Sequence, residues 1–139
     1  MYNCDQVNSL TFTRVIQNVG INQNDYLSTI TFGTDNTNNY AGGWYDISSN
    51  KRLSSIVNVR STALYLRQNV LSEWNGNGWT TTCLLDGAPM DAIIQTLADS
   101  GRYSGYLNYD VKRTHASDSA KAVLSARYWS IYRDGSEFV

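Results

Sequence analysis

The feature that most constrains this chain is a change of period at Pro89. Before it, apolar residues come in short runs and two-residue alternations, separated by turns rich in Asn, Gly and Ser. After it, Met90, Ile93, Ile94 and Leu97 recur at i, i+3, i+4 and i+7, the stripe of an amphipathic helix. Pro89 suits a first helical position and Gly101 stands where a helix stop belongs. A chain that changes period inside so short a length is a mixed α and β protein.

The strand-like runs follow from the same reading. Leu10 to Ile16 (LTFTRVI) and Tyr26 to Phe32 (YLSTITF), joined by NVGINQND, predict an N-terminal hairpin. A polar loop, GTDNTNNYAGG, leads to a short strand around Trp44 to Ile47. Leu53 to Val70 reads as one extended run, with Val57 and Val59 on one side and Asn58, Arg60 and Thr62 on the other. Asn75-Gly76-Asn77-Gly78 is a turn, and WTTTCLL after it is a further strand. Tyr103 to Arg113 alternates, with Tyr106, Asn108, Asp110 and Lys112 opposite Leu107, Tyr109 and Val111. Ser117 then N-caps a helix whose stripe is Ala120, Val123, Leu124, Tyr128 and Ile131, closed by Gly135. No linker, internal repeat or low-complexity block is apparent. The expectation is one domain spanning 1–139, of class α+β: an antiparallel β-sheet with an N-terminal hairpin and a C-terminal helix.

Composition narrows the function classes. The net charge is −1, too small for a basic arm that condenses on nucleic acid by charge alone, although a local recognition face needs no large net charge. Ten Tyr and four Trp suit half-buried pleated surfaces. Cys4 and Cys83 have no metal-ligand spacing and make no disulfide framework, so they read as buried or free thiols, with an assembly disulfide as the alternative. No run reaches a membrane span, and MYNCDQVNSL lacks the basic start and apolar stretch of a signal peptide. His115 is the lone histidine, at a strand-to-helix junction. No nucleophile, metal or nucleotide motif accompanies it, so a non-enzymatic protein without cofactor is expected.

Tyrosines, amides and charges on strand faces are what recognition of unpaired RNA bases uses: rings stack, amides and carboxylates read edges, and cations meet phosphates. The stretch RYSGYLNYDVKRTHASDSAKAVLSARYWSIYRDG resembles the last strand and first helix of the coat proteins of single-stranded RNA (levivirus-type) bacteriophages. GGWYDISSNKRLSSIVNVRST resembles that family's short strand, turn and Val-x-Arg strand. The resemblance implies a homodimer in which each helix packs on its partner, an icosahedral shell, and residence in the virion after assembly in the bacterial cytoplasm. It also implies a sheet face that binds single-stranded RNA hairpins through Asn58, Arg60, Tyr106, Asn108 and Asp110. Cys83 would lie near a shell axis. The segment from Leu71 to Gly101 is longer than the family's loop, and only SEFV follows Gly135 where the family has a second helix. The alternatives are a receptor-binding or tail component of a tailed phage, or a lectin-like β domain, which the Tyr, Trp, Asn and Ser content suits equally. A small enzyme using two distant carboxylates comes third.

Overall fold

A computed structural model describes residues 1–4, 6–13, 17–33 and 43–139. In chain order the elements are β1 (Ser9–Thr11), β2 (Val19–Gly20), β3 (Thr29–Thr31), β4 (Trp44–Asp46), β5 (Ser55–Val57), β6 (Ala63–Leu66), β7 (Leu71–Trp74) and β8 (Trp79–Thr82). Then come helix α1 (Ala88–Asp99), β9 (Tyr106–Tyr109), a single 3-10 turn (His115–Ser117), helix α2 (Asp118–Ala126) and β10 (Ser130–Arg133).

The strands do not form an antiparallel sheet. A three-stranded sheet runs β1-β3-β5 and a five-stranded sheet runs β10-β9-β6-β4-β2, and every pairing in both is parallel. Among the described residues only the hairpin β7–β8 is antiparallel. Parallel neighbours require the chain to travel round between them, and here successive turns of chain alternate between the two sheets. The result is a solenoid with its core between the sheets, built from Ile21, Leu27, Ile30, Ile47, Leu53, Leu64, Leu66 and Leu107 among others. The expected N-terminal hairpin is therefore absent: β1 and β3 lie side by side in parallel, Leu10 against Ile30, and the stretch read as their turn contributes β2 to the other sheet. The loop GTDNTNNYAGG lies largely outside the described residues.

The repeat passed over in the sequence explains this topology. Val19-x-Ile21-x-x-Asn24-x-x-Leu27-x-x-Ile30 recurs as Tyr45-x-Ile47-x-x-Asn50-x-x-Leu53-x-x-Ile56 and as Leu64-x-Leu66-x-x-Asn69. Met1-x-x-Cys4-x-x-Val7-x-x-Leu10 is a partial copy. Each copy sets two apolar residues two apart, then Asn or Cys at the turn, a period that stacks one turn of chain on the next. The physics is visible at each turn. Asn24, Asn50 and Asn69 are fully buried, and each accepts the backbone N–H of the equivalent residue one turn earlier. Cys4 N donates to Asn24 Oδ1 at 2.9 Å, Asn24 N to Asn50 Oδ1 at 3.2 Å, and Asn50 N to Asn69 Oδ1 at 2.9 Å. Their amides donate in turn, Asn50 Nδ2 to Ile21 O at 2.8 Å and Asn69 Nδ2 to Ile47 O at 2.9 Å. The residue before each ladder position, Asn3, Gln23, Ser49 and Gln68, has φ between 50° and 61°, so each turn bends the same way. Beyond Asn69 the sense of the bond reverses: Asp86, ahead of α1, accepts the backbone N–H of the later Lys112 at 2.7 Å.

Helix α1 lies where the pattern placed it, with Met90, Ile93, Ile94 and Leu97 buried. Its N-terminal Asp91 accepts from Thr114 N at 2.9 Å and Ser117 Oγ at 2.6 Å, tying it to the 3-10 turn. The C-terminal helix is shorter than expected and packs on this chain's own α1. It ends at Ala126; Tyr128 has φ 61° and is exposed, and Ser130–Arg133 joins the sheet beside β9. A helix continued to Arg133 would have left the β9 edge open, whereas parallel pairing of β10 satisfies it. Gly105 makes room for this return: a Cβ there would lie 2.4 Å from the Trp129 ring, whose Nε1 donates to Arg102 O at 2.9 Å.

The run Leu53 to Val70 is likewise two strands in different sheets, not one. Val57 is exposed while Val59 is fully buried, and Asn58 has φ 61°, so the expected alternation breaks at the corner between β5 and β6. The alternation along Tyr103 to Arg113 holds: Leu107, Tyr109 and Val111 are buried, whereas Tyr106, Asn108, Asp110 and Lys112 are half-exposed.

Candidate binding face

Because side chains alternate across a strand, the five-stranded sheet sends Val19, Tyr45, Leu64, Leu66, Leu107, Tyr109 and Ile131 toward the core and the residues between them outward. Parallel register aligns those outward residues in rows. One row is Trp44, Ala63, Tyr106 and Ser130; the next is Gly20, Asp46, Tyr65, Asn108 and Tyr132. Tyr106 leans along its strand so that Asn108 Nδ2 donates to its hydroxyl at 3.1 Å. That tilt brings its ring between two neighbours, with centroids 5.2 Å from Tyr65 and 5.2 Å from Tyr132. Three tyrosines thus form a continuous ribbon across β6, β9 and β10. Tyr132 is 57% exposed, and Trp44 at the far side is 49% exposed, with its ring over Gly20.

A polar rail runs beside the ribbon. Arg67 donates to Asn108 Oδ1 at 3.3 Å and pairs with Asp134, while Asp110 accepts the backbone N–H of Gln68 at 3.0 Å. Asp46 completes the set. Asp46, Asp110 and Asp134 stand against Arg67 and Lys112, and Arg67 is already paired, so the face carries one carboxylate in excess.

Of the five residues expected to bind RNA, the structure brings three together. Tyr106, Asn108 and Asp110 share the outward side of β9 and its extension. Asn58 and Arg60 lie elsewhere, at the corner leaving the three-stranded sheet, where Asn58 Nδ2 donates to Phe32 O at 3.2 Å. The topology separates them: Asn58 follows β5 of the three-stranded sheet, Tyr106 stands on β9 of the five-stranded one, and the antiparallel arrangement that would have placed them together is not formed. Tyr65, Arg67, Tyr132 and Asp134 were not singled out from sequence. Aligning the turns of the repeat would have found them, since Tyr65 and Tyr132 stand one turn either side of Asn108.

The groups with displaced ionisation lie away from this face, at the C-terminal closure. Arg113, nearly buried, donates to Asp118 Oδ1 at 2.6 Å and Glu137 Oε1 at 2.8 Å. Burial disfavours its charge, but those two carboxylates outweigh burial and hold its pKa above the ordinary value. Hydrogen bonds from Lys121 and Arg113 hold Glu137 below its usual range, and those from Arg113 and His115 do the same for Asp118. At Asp91 burial opposes ionisation, yet bonds from Ser117 and Thr114 prevail and lower it. His115 stacks on Phe138 at 4.1 Å and contacts Asp118 at 3.0 Å. Burial pushes the Cys83 thiol up to about 11, and both cysteines are free. These are the contacts of a structural lock: the bonded carboxylates are oriented by Arg113, Lys121, Ser117 and Thr114 and hold the C-terminus to the 3-10 turn.

Among the described residues no cluster of three His, Cys, Asp or Glu side chains could hold a metal, and no helix is long and apolar enough to cross a membrane. Compared with known proteins, the chain matches no family model, no curated protein and no solved structure.

Proposed function

We propose that this chain is a non-catalytic recognition module whose outward sheet face binds a neutral glycan. The observation that carries the reading is the Tyr65–Tyr106–Tyr132 ribbon, with centroids spaced at 5.2 Å and flanked by Arg67, Asn108, Asp110 and Asp134. Flat aromatic faces with a few fixed polar groups make a selective surface for a ligand with both apolar and polar faces. Sugar rings are such ligands: their C–H faces lie on tyrosine, and neighbouring hydroxyls pair with amides and carboxylates. The rigid, repeat-built sheet fixes these groups before the ligand arrives, which lowers the entropy lost on binding.

The coat reading loses support on two counts. It needs an antiparallel sheet joined edge to edge with a partner, and the sheets here are parallel. It also needs cations free to meet phosphates, whereas Arg67 on this face is already engaged by Asn108 and Asp134.

The test is a titration of neutral oligosaccharides followed by calorimetry and tyrosine ring NMR shifts, with a short RNA hairpin in parallel. The expectation is binding that weakens by about tenfold or more in both Tyr106→Ala and Asn108→Ala, the loss of one central contact. Both positions are half-exposed, so the fold survives either change. Saturable, Tyr106-dependent RNA binding with no glycan response would overturn the proposal and return the face to RNA recognition.

A further inference from the structure

The hairpin β7–β8 belongs to neither sheet. Seven of its eight strand residues are exposed and Leu71 is half-buried, with Trp74 60% and Trp79 71% exposed. Asn75 N donates to Gly78 O at 3.1 Å and closes the tip. Alternation along an antiparallel ladder then makes Trp74–Trp79 a non-hydrogen-bonded pair, with Ser72–Thr81 the next such pair. The two indoles meet edge to face at 5.8 Å, and the Ser72 and Thr81 hydroxyls at 3.4 Å, so all four side chains share one face.

In such pairs the backbone N–H and C=O groups point away from the partner strand. Trp79 and Thr81 therefore present unpaired backbone groups along the outer edge of β8, and Ser72 and Trp74 do so along β7. Strand edges left open in this way are normally guarded by Lys, Pro, a bulge or a covering element. None of Lys, Arg or Pro occurs between Leu71 and Thr82, and the one charge is Glu73, on the opposite face. A two-stranded ribbon is also marginal by itself in water.

We propose that this hairpin dimerises the protein: β8 of a second copy pairs antiparallel with β8 about a two-fold axis, giving a four-stranded sheet with four tryptophans along one face. A self-pairing edge must be antiparallel to close as a dimer, and hairpin strands allow that. β8 is the edge used because it carries no charge, whereas pairing through β7 brings Glu73 near its own copy. A second copy suits the edge better than a lipid surface, since no basic side chain of the hairpin could hold a headgroup. The inference rests on different residues from the glycan face, so failure of one leaves the other standing.

Sedimentation velocity of the full chain over a micromolar to millimolar series tests it. The expectation is a concentration-dependent dimer whose Kd rises by about 30-fold or more in Trp79→Lys and in Thr81→Lys, as for a central interface residue, and is little changed in Glu73→Lys. All three positions are exposed, so circular dichroism should confirm an unchanged fold. A monomer throughout, or a dimer indifferent to Trp79→Lys and Thr81→Lys, overturns the proposal. So does a dimer lost equally in Glu73→Lys, which would mark the β7 edge. Binding of the monomer to phosphatidylcholine vesicles would show the tryptophans serve a membrane instead.

Discussion

From Met1 to Asn69 each turn of chain closes on its neighbour through a buried asparagine, whereas from Gly87 to Val139 helices and ion pairs do that work. Both halves extend the same five-stranded sheet. In the first half the second wall is another sheet, β1-β3-β5, and turns repeat almost residue for residue. In the second half α1 and α2 form the wall and the closure is ionic, through Arg113, Asp118 and Glu137. The contrast teaches that sheet register is set locally, by which residue of each turn points inward, and does not depend on what backs the sheet. Rows of outward side chains therefore run unbroken across the change of construction. The tyrosine ribbon spans it, with Tyr65 on one side and Tyr106 and Tyr132 on the other.

The largest expected effect breaks the half closed by asparagines. Asn50→Ala removes two accepted hydrogen bonds from Asn24 and a donated one to Ile21 O, stranding buried backbone groups. At roughly 1–3 kcal/mol per orphaned group, the loss is about 3–4 kcal/mol in urea melts. Asn108→Ala, the same change on the outward face, should cost under about 1 kcal/mol. Equal costs at the two positions would remove the ladder as the reason the first half holds.

Gly105→Ala probes the junction between helix-backed turns. A Cβ there meets the Trp129 ring at 2.4–2.5 Å, and the ring is also held by its bond to Arg102 O. Overpacking of this kind costs about 1–3 kcal/mol. It should also displace β10 and broaden the Tyr132 ring signals, which links the packing of this half to the candidate face.

The smallest effect separates the halves by pH. Asp91, Asp118 and Glu137 have pKa values held below their ordinary 3.8, 3.8 and 4.5 in the folded protein. Groups lowered in this sense stabilise the fold above their unfolded pKa, and that stabilisation fades as pH falls through the folded values. Hydrogen exchange should therefore quicken around Arg113 and the C-terminus below about pH 4, while amides of the ladder turns keep their protection. Glu137→Gln should flatten that acid response. Uniform loss of protection across both halves would contradict the division.

Much of the local structure was legible. The stripe of α1 and the two-sided character of Tyr106 to Val111 follow from periodicity alone, because each is enforced by burial of its own apolar side. The topology was not legible from the elements taken singly. Read one at a time, Leu10 to Ile16 and Tyr26 to Phe32 look like hairpin partners; read as turns of a repeat, they stack in parallel. The spacing of Asn24, Asn50 and Asn69 carried that information, but only comparison of distant segments reveals it. The C-terminal stripe misled for a related reason. Ala120 and Leu124 are helical and buried, whereas Ile131 reaches the sheet through the bend at Tyr128, which helical spacing cannot distinguish.

By itself, then, the sequence determined which side of each short segment is apolar, where one helix begins and ends, and that one stretch near Tyr106 shows a polar face. Tertiary structure alone decided which segments lie side by side. It parted Asn58 and Arg60 from Tyr106, and it brought Tyr65 and Tyr132 to either side of that ring. The physical reason is that side-chain period is local, fixed by backbone geometry over a few residues. Partner choice between strands is set instead by backbone hydrogen bonds and buried asparagines that reach from one turn of chain to the next.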